Sequence, residues 1–341
     1  MRKRDTVRRI ICILIYGAVF IAVLVFLNRL LCIKDEHGIR QASELYVQPE
    51  DSIDVAFMGS SHVHYDVNTA YLWEQFGIAG YDYSAAEQPL WITYHYLQEL
   101  CKTQSPSLIV LDMFAPSAFK DDYQYNYLTD NLNGMRFSVN KLRMLSVSCE
   151  PDRLWEFWPS ISTYHMRYRE LTEEDWKPFG RTRYDRMAYK GFFPHYDIDP
   201  HEAPQGDRRS ADGLTAKSRE YLMKIIYYAK EKDIDLFLIV SPYNPDWEDV
   251  EVYRQTRDIA MFNGIRFEDY NDLAADIGID YARDFNDDSH LNYDGSIRFS
   301  DYLGRNICDY YDIPDRRGDE YWESWDRHAE LVREEAEEKC P

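Results

Sequence analysis

The chain has 341 residues, enough for about two domains of roughly 150 residues or one large one. Its 45% hydrophobic and 29% charged residues are a globular composition and exclude wholesale disorder. The formal net charge is -21; residues 1–9 (MRKRDTVRR) carry +4 and the rest -25. A body that acidic is a poor partner for nucleic acid, whose binding is dominated by phosphate neutralisation, so that class of partner is excluded.

Ile10 to Asn28 is a 19-residue uncharged run. As a helix it would be roughly 28 Å long, close to the hydrocarbon thickness of a bilayer. The basic residues before it predict a cytoplasmic N-terminus and an extracytoplasmic body. The alternative is a cleaved signal peptide, but the run is long for its apolar region and no A-x-A-like site follows. Cys32 suggests a lipoprotein, yet Arg29 stands where small or apolar residues belong. The expectation is a basic tip (1–9), a single uncleaved transmembrane helix (10–31) and a polar stalk (32–50).

A βα rhythm then begins. Ile53 to Met58 reads as a strand ending at Gly59, Thr69 to Phe76 as a helix, Tyr81 to Ala85 as a second strand and Leu90 to Cys101 as a second helix. Ser107 to Phe114 is a third strand, nearly all apolar, as a strand covered on both faces should be. The rhythm returns with a helix over Leu214 to Lys232, a strand over Leu236 to Val240, a helix over Val250 to Asn263, a short strand near Ile279 to Phe285 and a helix from Gly295 to about Tyr311. This alternation predicts an α/β sandwich around a mostly parallel sheet.

Between about 115 and 212 the rhythm lapses. The stretch is too long for a plain connection and predicts an inserted cap. Residues 121–197 hold 16 aromatics in 77 positions. They read as the cap's own small core or as a sugar-stacking surface beside the site. Ser162 to Tyr168 (STYHMRY) gathers donors and a cation, and either lines an acceptor site or joins the cap to the core. The charged tail, 312–341, places Trp322, Trp325, Ala329 and Val332 on one helical face, as a docking helix would. Six cysteines at irregular spacing form no zinc pattern or disulfide framework; one disulfide among the later four (Cys101, Cys149, Cys308, Cys340) stays open.

Two segments carry chemistry. Gly59-Ser60-Ser61-His62 follows the first strand, and Asp287-Asp288-Ser289-His290 precedes the last helix. Ligands of open α/β sheets bind outside the strands' carboxyl ends, where both segments should lie. Ser61 is the candidate nucleophile on a sharp turn that Gly59 permits. His290 is the candidate base, and Asp287 the acid that orients it, with Asp284 and Asp288 as alternatives. His62 is read as lining the pocket. The bland alternative for Ser61 is a helix N-cap. A rival reading has His62 and His64, alternating on an extended segment, share a metal; the preferred reading uses no metal and no cofactor.

These two motifs resemble those of the SGNH (GDSL-type) hydrolase superfamily. Gly59-Ser60-Ser61-His62 corresponds to its G-D-S-L block and Asp287-x-x-His290 to its D-x-x-H block. With the N-terminal anchor, the pattern looks like the DltD/AlgX branch, whose members act in acylation of cell-surface polymers. The resemblance covers roughly residues 51–311, less the insertion. It implies a flavodoxin-like three-layer sandwich and an oxyanion hole drawing on Ser84 or Ala85, although the family's second-block Gly is absent. Its G-x-N-D block is missing too, with Asp112-Met113-Phe114-Ala115-Pro116 in its place; Asn131 and Asn133 are candidates for the lost Asn. It further implies an esterase or O-acyltransferase that works through an acyl-Ser61 ester on an acylated cell-envelope glycan or polymer, with a multi-pass membrane acyltransferase as partner. The opposing reading is a non-catalytic glycan-binding or scaffold protein on the same fold.

Overall fold

The computed structural model describes residues 2–35, 37–204, 212–243 and 250–339. In chain order, α1 (Arg2–Leu31) and α2 (Ile39–Glu44) lead into β1 (Val55–Met58), α3 (Ser61–Asp66), α4 (Thr69–Phe76), β2 (Gly80–Asp82), α5 (Leu90–Leu100) and β3 (Leu108–Asp112). Seven short helices follow: α6 (Ala115–Ala118), α7 (Leu128–Asn133), α8 (Val139–Ser148), α9 (Leu154–Phe157), α10 (Ile161–Tyr164), α11 (Lys177–Gly180) and α12 (Arg183–Met187). The α/β pattern resumes with α13 (Ala216–Glu231), β4 (Asp235–Val240), α14 (Val250–Asn263), β5 (Arg266–Asp269), α15 (Ala274–Ile277), α16 (Tyr293–Tyr310) and α17 (Glu323–Lys339).

All four strand pairings are parallel, in the order β2-β1-β3-β4-β5. This is the flavodoxin-like order, and its direction reverses between β1 and β3. Alternate side chains serve opposite faces. Ala56, Met58, Ile109, Leu111, Leu238 and Val240 join one apolar cluster with α5, α13 and α14. Val55, Phe57, Leu108, Val110, Phe237 and Ile239 join another with Phe299, Leu303 and Ile307 of α16. The sheet is therefore covered on both sides, as the unbroken apolar runs of β1 and β3 require.

Three expectations need correction. The fifth strand is Arg266–Asp269, and residues 279–285 form turns that end in an isolated bridge between Phe285 and Leu291. The sequence Arg-Phe-Glu-Asp lacks an apolar run because β5 is a half-buried edge strand. Residues 32–50 are not a stalk. Ile39, Ala42, Leu45 and Val47 are buried, and distant chain meets polar groups among them: Gln41 Nε2 donates to Gly191 O at 2.8 Å, and Arg186 pairs with Glu44 at 2.7 Å. Among the described residues the insertion has no separate aromatic core. Its buried side chains are chiefly aliphatic and sulfur-bearing (Leu128, Leu132, Met144, Leu145) and merge with Trp91, Tyr96 and Leu100 of α5. Cys12, Cys32, Cys101, Cys149 and Cys308 are free, and Cys340 lies outside the described residues.

The tail does dock. Trp325 is fully buried on α4, its indole N–H donates to Gly80 O at 3.0 Å, and the Lys190 ammonium lies 3.3 Å from its ring centroid. α17 thus shields the edge strand β2. Trp325→Ala is expected to destabilise the fold by about 3–5 kcal/mol, from lost burial and the cavity left behind. Urea unfolding would show this as a lower midpoint at unchanged slope.

Candidate active site

The topological reversal between β1 and β3 places the Ser61 turn next to Asp112 and Phe114. Gly59 has φ +146°, and a Cβ there would stand 2.9 Å from Asp112 Cβ and 3.1 Å from Val63 Cγ2. Only glycine fits both the backbone and the space. Ser61 opens α3, so its N–H lies in a first turn that has no intrahelical acceptor. The residue is half-buried and within reach of a ligand.

The second segment is held as a loop before α16. Asn286 N–H donates to His290 O at 2.9 Å, and Asn292 caps α16 through Gly295 N–H at 3.1 Å. Leu291 N–H donates to Asp66 Oδ1 at 2.8 Å, which ties this loop to the end of α3. The structure brings Ser61, His290 and Asp287 together. Ser61 Oγ is 2.8 Å from His290 Nε2, and His290 Nδ1 is 3.0 Å from both Asp287 oxygens. With the ring proton on Nδ1, facing the carboxylate, Nε2 is free to accept the serine O–H.

Asp287 Oδ1 also accepts the N–H groups of Ser289 and His290, each at 2.9 Å. Burial pushes this carboxyl up, but the His290 hydrogen bond and charge, with those N–H groups, hold it well below the usual range. The alternative acids are placed elsewhere. Asp284 is buried and paired with Arg298 at 2.8 Å, and Asp288 is exposed.

His62 is fully buried beneath the serine. Its ring stacks on Phe114 with centroids 3.9 Å apart, meets Tyr243 edge-on and lies 5.2 Å from the His290 ring. Burial and the neighbouring His290 push it well below the ordinary histidine value, so it stays neutral. The shared-metal reading of His62 and His64 fails on local geometry. The segment is helical, so residues two apart diverge by about 200°. His64 turns away to place Nδ1 2.8 Å from Ser84 Oγ. Asp199, His201 and Asp288 do group their ligand atoms within 4.8 Å at the surface and could hold a cation.

Ser84 and Ala85 lie just beyond the carboxyl end of β2, both buried. The Ser84 hydroxyl is engaged by His64, and the flanking amides are used: Tyr83 N–H by Phe57 O and Ala86 N–H by His37 O. Among the described residues the N–H groups of Ser84 and Ala85 have no protein acceptor. Neither candidate Asn supplies the lost donor. Asn131 spends its amide on Ala86 O and Tyr127 O, and Asn133 lines a cavity beside the end of α1. Ser162 to Tyr168 is likewise placed at α1, where Arg167 donates to Leu31 O at 2.8 Å.

Several neighbours escaped the sequence reading. Tyr65 packs edge-on to the His290 ring, and His195 lies 4.2 Å from Tyr65 between centroids. Tyr293 N–H and Phe193 N–H bond His195 O and His64 O, so residues 193–195 border the site. Asp66, five residues after Ser61 on the same short helix, was legible as a carboxylate but not as the tether of the histidine loop. Burial pushes it well above the usual carboxylate value, partly countered by Leu291 N–H.

No family model matches this chain, and no curated protein matches it. Among solved structures it is similar to a Bacteroides fragilis protein described as a candidate acylhydrolase, at 13% identity and TM-score 0.38, covering 79% of this chain and 94% of that one. It is also similar to a gut microbial diltiazem-metabolizing enzyme, at 14% identity and TM-score 0.28, covering 76% of this chain and 48% of the other.

Proposed function

We propose that the chain is a membrane-anchored, extracytoplasmic serine esterase or O-acyltransferase of SGNH type that acts on an acylated cell-envelope glycan or polymer. The observation that carries this reading is the hydrogen-bonded relay from Ser61 through His290 to Asp287, set where the sheet order reverses. Ser61 Oγ attacks the ester carbonyl while His290 Nε2 takes the hydroxyl proton. The N–H of Ser61 and those of Ser84 and Ala85 are the candidates to hold the oxyanion. As the intermediate collapses, His290 gives the proton to the leaving alcohol oxygen and an acyl-Ser61 ester remains. Water or a sugar hydroxyl then attacks this ester, with His290 again the base, and Ser61 recovers its proton.

The anchor reading is supported by α1. The 28-residue stretch Arg4–Leu31 is long and apolar enough to cross a membrane, with mean hydropathy 3.1 in its most apolar window. Its last turns are packed by the body. Phe26 meets Trp176 and Phe179, and Leu30, Leu31 and Cys32 are buried. Cleavage in this region would expose that packing, which favours the uncleaved form. A multi-pass acyltransferase that supplies the acyl group is the proposed partner.

The test is covalent. The full-length protein in detergent is expected to react with a fluorophosphonate probe, and peptide mass spectrometry should place the adduct on Ser61. A protein that takes no label, or labels equally after Ser61→Ala, would overturn the serine mechanism and leave a binding or scaffold role on this fold. With an acylated donor, release of free acid in the presence of glycan would assign hydrolysis, and an acylated glycan would assign transfer.

A further inference from the structure

We propose that the cavity where α1 enters the body binds the phosphodiester headgroup of an anionic phospholipid in the leaflet that the anchor leaves. The inference rests on the anchor reading above, which sets the depth of the cavity. The cavity has a volume of about 360 Å³ and is lined by Asn28, Arg29, Lys34, Asn133, Phe179 and Arg181, among others. Phe26, two residues before Asn28, packs on Trp176 at 6.3 Å and Phe179 at 5.8 Å between ring centroids. Both partners nonetheless remain substantially exposed, at 50% and 43%. Tryptophan side chains such as Trp176 sit at the level of lipid headgroups. Because residues 32–50 are packed into the body rather than extended as a stalk, the body meets the bilayer at this point.

Arg29 is the cation of this cavity that is left without an ion pair among the described residues. Arg29, Lys34, Arg40, Arg167, Arg181 and Arg186 lie around the cavity; Asp35, Glu44 and Asp175 pair with five of them, and Asp130, Asp185 and Glu335 also act on this region. Lys34 and Arg167 share Asp175 at 3.3 and 2.8 Å, Arg181 and Arg40 share Asp35 at 3.0 and 3.8 Å, and Arg186 holds Glu44 at 2.7 Å. Arg29 has no ion-pair partner among the described residues, is exposed and lines the cavity. Two polar atoms in the lining are buried without a partner: Asn133 Nδ2, a donor, and Asn28 Oδ1, an acceptor. Buried polar groups are normally satisfied. A phosphodiester would accept from Arg29 and Asn133, and a headgroup hydroxyl would donate to Asn28.

The test uses the full chain in a neutral detergent, titrated with short-chain phosphatidylglycerol, short-chain phosphatidylcholine and inorganic phosphate, and read by Tm and by lipid retained in native mass spectrometry. Phosphatidylglycerol is expected to raise Tm saturably and stay bound, phosphatidylcholine is not, and Arg29→Gln is expected to weaken the effect about tenfold, as the loss of one charge-assisted contact should. Fluorophosphonate labelling of Ser61 should be unchanged in that variant. Equal responses to both lipids, or an Arg29→Gln variant indistinguishable from the parent, would overturn the proposal. So would inorganic phosphate that reproduces the whole effect, since the site would then take a free anion. Failure of the anchor reading is separately visible: carbonate extraction of expressing membranes would release a protein shortened at its N-terminus.

Discussion

Ser61→Ala is expected to lower kcat for ester cleavage by about 10^4-fold or more, with little change in KM. Oγ forms the bond that makes the acyl-enzyme, and that contact exists only once reaction begins, so its loss falls on kcat. His290→Ala should cost a similar factor, because without Nε2 at 2.8 Å the serine hydroxyl keeps its proton. The double variant should be no worse than either single one. Residues that act as one unit are not additive, and any residual rate would come from the oxyanion donors and from binding. Steady-state kinetics on an activated acyl ester, with circular dichroism to confirm folding, would check all three. Costs that multiply in the double variant would instead mean that Ser61 and His290 act in separate steps.

The features legible in the sequence are those written over a few consecutive residues. β1, β3 and β4 announce themselves because strands covered on both faces need continuous apolar runs. α4 and α14 were legible because an apolar stripe at helical spacing needs little context. The first motif read correctly as the neighbour of a strand end, whereas the second follows turns and not the strand expected before it; the two nonetheless meet, with Ser61 against His290 across 229 positions. The losses have a common cause, which is that partners supplied by distant chain reverse the local signal. Residues 32–50 look polar, but Gln41, Glu44 and Gln48 are matched by Gly191, Arg186 and Lys190, at least 142 positions away. Arg266–Asp269 looks like a surface turn, yet its backbone completes the sheet beside β4. His195 arrives from the far end of the insertion, and no spacing connects it with Tyr65. The aromatic excess was visible as a count, but its division between the rim of the site (Phe193, Tyr196) and the foot of the anchor (Trp176, Phe179) is a tertiary fact.

Asp287→Asn should separate a working relay from a coincidental one. The carboxylate holds the Nδ1 proton, so an amide in its place can turn its NH2 toward the ring and favour the tautomer in which Nε2 carries the proton. Such a histidine accepts nothing from Ser61. The expected loss in kcat is on the order of 10^3-fold. It sits below the cost of a fully dry relay because the Asp287 side chain is 46% exposed, and water can take over part of the orienting role. Asp288→Asn, on the exposed neighbour, should leave kcat within a factor of about two. Asp284→Asn should lower stability instead, because it strips Arg298 of a buried partner. The pH dependence gives a second readout. Asp287 is held below its unfolded value of 3.8. Its contribution to folding stability is therefore complete above that value and is lost as the pH falls further, since the unfolded chain then binds the extra proton. The stability difference between parent and Asp287→Asn should shrink as the pH falls below 4. A difference that instead grew as the pH fell below 4 would mean the carboxyl is protonated more readily in the folded chain, and a neutral acid cannot hold the His290 cation that the proposed transfer requires.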